Sequence, residues 1–265
     1  MTFILANYFH KDIFWQLLRA KAANILTKLT NTFIDYYIWA GCTLFVSGHV
    51  LQAFGLSQEY GVFQFSAILS AVGLFNLYSN AITIVSDLEG DRSIDFYLSL
   101  PTTALTVLAS NIAYYTFISF TTGVLLFPLA KLILEGTFVL ANVSWLSVAF
   151  FMLLTNVLFA TLTFLIAALV PSMDKFDIIW VRFIFPLWFL GGFQFSWYAV
   201  YAKVPWLAYA MLLNPITYAT EGMRVAVLGQ EGYLPFWVSS LVLMVLLLVV
   251  ARWSYVAFKK RLDFV

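Results

Sequence analysis

The chain has 265 residues, of which 63% are hydrophobic and only 10% charged, with a net charge of +1. Soluble domains carry about 25% charged residues, and a mean hydropathy of +0.91 means more apolar surface than a chain of this size can bury in its own core. A soluble globular domain is therefore excluded in favour of an integral membrane protein, the near-neutral charge gives no basis for nucleic-acid binding, and the lone cysteine, Cys42, cannot form an intramolecular disulfide.

From the N-terminus, Lys11, Arg19, Lys21 and Lys28 are scattered where the apolar core of a secretory signal would lie, so no such signal is read. Residues 9–29, FHKDIFWQLLRAKAANILTKL, place Phe14, Leu18, Ala22, Ile25 and Leu29 at helical spacing, with Asp12, Gln16 and Arg19 opposite. This predicts an amphipathic helix lying in the membrane interface, where Lys21 and Lys28 can reach the headgroups. Five charges in these 21 residues argue against a span.

A span needs about 20 predominantly apolar residues. Six stretches qualify, at Phe33–Ala53, Phe63–Val85, Ala104–Leu134, Val143–Val170, Ile178–Tyr198 and Leu234–Phe258. Their continuous apolarity predicts helices rather than the alternating strands of a barrel. Six spans put both termini on one side, which then collects eleven Lys and Arg residues against three on the other. That asymmetry predicts cytoplasmic termini in the inner (plasma) membrane. Trp145, Trp237 and Trp253 fall where interfacial aromatic belts are expected.

Between the second and third spans, SDLEGDRSIDFYLSLP (86–101) carries Asp87, Glu89, Asp91 and Asp95 against Arg92, a net charge of −3 on the side where loops are usually basic. Ser93 is placed to cap a short helix that continues through Ile94, Phe96, Tyr97, Leu98 and Leu100 and stops at Pro101. Five large apolar residues in seven predict a helix pressed against a partner rather than a solvated loop.

The span interiors hold almost no ionisable groups. Asp35, Arg182, Lys131, Arg252 and His49 all lie toward span ends. Proton- or ion-coupled carriers place such groups near the midplane. No HExxH, GxSxG, CxxC or GxxxxGK[ST] pattern occurs, so neither hydrolytic chemistry nor a P-loop nucleotide site is expected in this chain. A bundle of this kind is either passive or driven by a partner acting from the cytoplasmic side.

After the fifth span the chain reads VPWLAYAMLLNPITYATEGMRVAVLGQ (204–230), too apolar for a free loop and too short for two spans. Pro205 and Pro215 suit helix starts, and Asn214 suits an N-cap. We expect two short re-entrant helices, Trp206–Leu213 and Ile216–Gly229, within a 206–230 segment dipping into the outer leaflet. Glu221 and Arg224 share one face of the second, at i and i+3, turned to the pore mouth or to each other. Asn214, Pro215, Glu221 and Arg224 are candidates for an outer gate; the alternative is a helix-surface pair worth a few tenths of a kcal/mol. Within span five, Pro186 with Gly191 and Gly192 is a candidate hinge, the alternative being plain packing of small residues.

The acidic segment ending in LSLP resembles the coupling region of ABC-2 type transport permeases. FIFPLWFLGGFQFSWYAVYAKVPWLAYAMLLNPITYATEGMR (183–224) resembles that family's fifth span and outer loop more closely: a proline within the span, a Gly-Gly turn, Val-Pro-Trp-Leu, then Asn-Pro-x-x-Tyr and an acid-x-x-Arg. The segment Ser93-Ile94-Asp95 departs from a Gly-Thr followed closely by Glu in many members. The resemblance implies an all-α integral membrane domain over 1–265, with six transmembrane helices, an N-terminal interface helix (9–29), a coupling helix (86–101) and re-entrant outer helices. It implies an exporter subunit for an amphipathic, lipid-like, drug or glycan-type substrate. Its partners would be a separate nucleotide-binding ATPase, which holds the ATP and Mg, a second permease copy in a homodimer, and the bilayer. Asp87, Glu89, Asp91, Arg92 and Asp95 would contact the ATPase. No cofactor is expected in this chain. The competing classes are a membrane enzyme or scaffold without a transport role, which would act alone, and a passive channel or secondary carrier, which would follow an ion gradient.

Overall fold

The computed structural model describes residues 10–23, 25–90, 102–170 and 172–263. Their regular structure is all helical, with no strand among the described residues. Helix α1 is Lys11–Ala22 and α2 is Ile25–Phe45, continued by a π-turn at Val46–Val50 and a last turn at Leu51–Ala53. Then follow α3 (Tyr60–Glu89), α4 (Ala104–Ile133) and α5 (Trp145–Leu169). Helix α6 (Met173–Ile179) runs through a second π-turn, Trp180–Ile184, into α7 (Phe185–Leu190). Three short helices, α8 (Trp197–Lys203), α9 (Pro205–Met211) and α10 (Pro215–Leu228), precede the terminal α11 (Phe236–Asp263).

Four of these helices, α3, α4, α5 and α11, are long and apolar enough to cross a membrane. The 30 residues of α3 and of α4 rise about 45 Å at 1.5 Å per residue, more than the roughly 30 Å hydrocarbon core needs. The predicted first and fifth spans fall on α2 with its π-turn and on the α6–α7 run; neither is among the four long apolar helices. Local chemistry explains the second interruption. Pro186 lies in the first turn of α7 and has no N–H to give to the preceding turn, so the ladder loosens into a π-turn just ahead of it.

Helices α3 and α5 form the centre, with α4, α10 and α11 packed around them. Their contact is close because small residues allow it. A Cβ on Gly73 of α3 would stand 2.6 Å from Asn156 Oδ1 and 3.2 Å from Asn156 Cα of α5. A Cβ on Gly61 of α3 would meet the Gly48 Cα, in the π-turn after α2, at 3.0 Å. With no hydrophobic gain between helices in lipid, such van der Waals closeness carries association. Within the centre Asn76 donates to Ser119 Oγ at 2.8 Å, and Tyr36 donates to the Val72 carbonyl at 2.6 Å.

The bundle has two ends. At one, the start of α1, the start of α4, the end of α5 and the end of α11 meet: His10 N–H donates to Thr106 Oγ1 at 3.0 Å, and the Arg261 guanidinium donates to the carbonyls of Ala167 and Val170. This is the terminal end; the other, holding α8, α9 and the loops before α3 and α11, is called distal. Two differences from the boundaries read from sequence change the topology. The stretch 9–29 is divided, with Ile25–Leu29 belonging to α2 rather than to α1, and both helices pack on α4. The fifth predicted span stops at Leu190, and Trp197 and Tyr198 begin a separate helix, α8, that sequence reading did not anticipate.

Candidate functional site

Helix α10 is built from local rules that the sequence shows plainly. Asn214 is its N-cap, with Oδ1 accepting from Ile216 N–H at 3.0 Å, and Pro215 occupies the first turn. Both choices are favourable for a helix start. Gly229, at φ +100°, ends it.

Most of what α10 holds lies far away in sequence. Helix α7 has no buried residue and ends at Leu190, and carbonyls of its last turn and of the turn that follows are left for donors from elsewhere. Side chains of α10 supply the donors. Asn214 Nδ2 donates to the Leu187 carbonyl at 2.6 Å, and Thr220 Oγ1 donates to the Gly191 carbonyl at 2.6 Å. Arg224 donates from Nη1 to the Phe195 carbonyl at 3.1 Å, and from Nη2 to the Phe193 carbonyl at 3.2 Å and to the Gly192 carbonyl. The turn they bind runs through Gly192 at φ +77°, a left-handed conformation that favours glycine.

Glu221 completes the arrangement. Its Oε1 accepts from Arg224 Nη1 at 3.0 Å and from Trp197 N–H, at the start of α8, at 3.0 Å. Its Oε2 accepts from Leu234 N–H, just before α11, at 3.0 Å. Glu221 and Arg224 are both 0% exposed. Two ions taken out of water are tolerable only with this density of partners. The Arg224 guanidinium also lies 3.7 Å from the ring centre of Phe63 on α3, a cation–π contact. The pair therefore faces itself and the backbone; within this chain neither side chain opens onto a pore mouth. One ion pair joins the turn after α7, the start of α8, α3 and the entry to α11.

The candidate hinge residues are drawn into the same arrangement. Pro186 follows the π-turn, while Gly191 and Gly192 reverse the chain after α7 rather than bend it within a continuous span. The Trp197 indole donates to the Ala208 carbonyl at 2.7 Å, closing α8 against α9. Large apolar side chains of the distal end remain exposed, among them Trp206 at 72% and Leu213 at 88%.

At the terminal end, Asp87 and Glu89 occupy the last turn of α3, and Glu89 lies within electrostatic reach of Arg261. Asp91, Arg92 and Asp95 lie outside the described residues. At the same end α1 is fixed to the first turns of α4. Lys21 Nζ donates to Ser110 Oγ at 3.1 Å and to Asn111 Oδ1 at 2.8 Å. Thr103 caps α4, accepting from Thr106 N–H at 3.3 Å. Burial pushes the Lys21 ammonium down to about 8.

Sequence reasoning singled out Glu221, Arg224 and Asn214 but not Thr220, Phe63, Trp197 or the carbonyls of Gly192, Phe193 and Phe195. A Glu and an Arg in so apolar a helix signal a desolvated pair. Nothing local identifies which backbone groups will share it. Among the described residues no group of three or more His, Cys, Asp and Glu side chains is placed to hold a metal.

Compared with known families, residues 13–228 match the model of a family described as ABC-2 type transporter. No curated protein matches the chain.

Proposed function

From the premise that this chain belongs to the ABC-2 type transporter family, and is a multi-pass membrane permease component, we propose that it is the transmembrane half of an ATP-driven exporter. A separate ATPase binds ATP and Mg, the chain pairs with a second copy of itself, and six spans with both termini in the cytoplasm of the inner membrane carry an amphipathic, lipid-like, drug or glycan-type substrate outward. The distal end is then the outer face, and α9 and α10 are its re-entrant pair.

The observation that carries this reading is the docking of α1 on α4 directly after the acidic segment. Lys21 ties α1 to Ser110 and Asn111, within two turns of the α4 start. A force applied by an ATPase to the segment bearing Asp87, Glu89, Asp91, Arg92 and Asp95 therefore reaches α3, α4 and α1 together. A chain with almost no ionisable group at mid-span has little means of coupling to a proton or ion gradient, so force from a partner is the economical source of work. On the outer side, the contacts of Glu221 and Arg224 make α7, α8, α10 and the entry to α11 one body. We read that body as the outer gate, hinged at Pro186 where the chain enters it, with Gly191 and Gly192 forming the turn inside it.

The test is purification from the native membrane. Co-purification with an ATP-binding subunit, and ATP hydrolysis that drives export by the reconstituted pair, is the expected result. Charge reversal of Asp87, Glu89, Asp91 and Asp95 to Lys is expected to abolish export while leaving the chain folded. Uphill export by the lone chain would overturn the proposal.

A further inference from the structure

Two adjoining cavities open at the distal end, the larger sharing Phe63 and Phe195 with the contacts of Arg224. The larger, about 570 Å³, has Glu59, Tyr60, Phe63, Glu231 and Tyr233 in its walls. The smaller, about 360 Å³, is lined by Cys42, Thr43, Ser47, Tyr60, Gln64 and Gln194. Tyr60 and Gln194 belong to both.

The smaller cavity contains an unmet demand. Gln64 is 4% exposed, yet its Oε1 has no hydrogen-bond partner among the described residues. A buried acceptor left in that state is costly, so it marks a place where something should donate. The neighbouring hydroxyls cannot. Thr43 gives its proton to the Trp39 carbonyl at 2.8 Å, Ser47 to the Leu44 carbonyl at 3.3 Å, and Tyr60 to the Gln194 carbonyl at 3.0 Å. Each hydroxyl has one proton and two lone pairs, so these three oxygens join Gln64 Oε1 as acceptors. The larger cavity adds the exposed carboxylates of Glu59 and Glu231. It also adds aromatic surface: the rings of Tyr60 and Phe63 stack at 5.5 Å between centres, and Phe63 lies 6.4 Å from Tyr233.

Free acceptors, carboxylates and aromatic faces suit one class of ligand group. We infer that the paired cavities around Tyr60 and Gln194 bind the cationic head of an amphiphile, a primary ammonium whose N–H groups are accepted by Gln64 Oε1 and the neighbouring hydroxyl oxygens. The carboxylates of Glu59 and Glu231 supply the opposite charge, and the Tyr60 and Tyr233 rings supply cation–π surface. A sugar head brings no charge to pair with the two carboxylates, and a phosphate head is repelled by them. Resting on the exporter reading, the site is an exit subsite, and it favours cationic amphiphiles among the substrates that reading allows.

The test is binding to the full chain in phosphatidylcholine nanodiscs, with empty nanodiscs subtracted, using octylammonium, octyl glucoside and octyl phosphate. Octylammonium is expected to bind saturably and more tightly than the other two. Gln64→Met is expected to weaken it about tenfold, and the exposed double change Glu59→Gln with Glu231→Gln about tenfold, the scale of one lost charge-assisted hydrogen bond. Because Cys42 is the single cysteine in the chain, saturating octylammonium is also expected to slow its labelling by N-ethylmaleimide. Equal or tighter binding of octyl glucoside or octyl phosphate overturns the inference. So does octylammonium binding that both sets of variants leave unchanged, or that does not exceed empty nanodiscs. No ATPase is needed for this measurement, so its failure leaves the exporter reading standing, and a failure of co-purification leaves the binding measurable.

Discussion

Glu221 and Arg224 meet at 3.0 Å with neither side chain exposed, and between them they engage backbone groups of Gly192, Phe193, Phe195, Trp197 and Leu234. Removing one partner leaves the other as a buried, unpaired ion. Arg224→Ala is expected to cost about 3–5 kcal/mol and to exceed Glu221→Gln, which keeps an acceptor for Trp197 N–H. Thermal unfolding of the purified protein measures the difference. Export at matched membrane levels tests the gate: wild-type rates in both single variants would leave the pair a structural tie only.

Asn214 has two separable roles, because its oxygen caps α10 and its nitrogen donates to the Leu187 carbonyl. Asn214→Ala loses both, with the cap alone worth about 1 kcal/mol. Asn214→Asp keeps the cap and leaves Leu187 without its donor. Stability is expected to rank wild type above the Asp variant above the Ala variant. Equal stability of Asp and wild type would show that the tie between α7 and α10 carries no weight.

Gly222 of α10 packs against the ring of Phe151 on α5, and a Cβ there would overlap that ring. Gly222→Ala is expected to destabilise by about 1–3 kcal/mol through overpacking. Phe151→Leu in the same chain should restore part of the loss. Failure of the second change to rescue would mean that the two helices are held apart by something else.

Lys21 gives the docking of α1 a pH dependence of definite sign. Its amine titrates near 8 in the folded protein against 10.5 for the ordinary side chain. Below about pH 8 both states hold the proton, and the cost of burying the ammonium is fully present. Between about 8 and 10.5 the folded state has released it while the unfolded state still binds it, so stability rises with pH over that window. Hydrogen exchange across α1 is expected to slow from pH 7 to pH 9.5 after correction for intrinsic rates, and Lys21→Met is expected to flatten the profile. A wild-type profile as flat as that of the variant would contradict the assignment.

Features that depend on near neighbours were legible in the amino-acid sequence. Apolar runs marked the four long helices. Pro205, Asn214 and Pro215 marked the starts of α9 and α10 to within a residue, and the three-residue spacing put Glu221 and Arg224 on one face. These rest on local sterics, helical periodicity and the chemistry of helix ends. Tertiary structure decided everything that joins distant segments. The carbonyl partners of Arg224 lie 29 to 32 residues away, and Lys21 finds Asn111 across 90. The end of α7 at Leu190, the separate α8 and the turn between α1 and α2 follow from the same cause. A helix that stops short needs donors for its last carbonyls, and which side chains stand there is a property of the packed bundle that no stretch of neighbouring residues encodes.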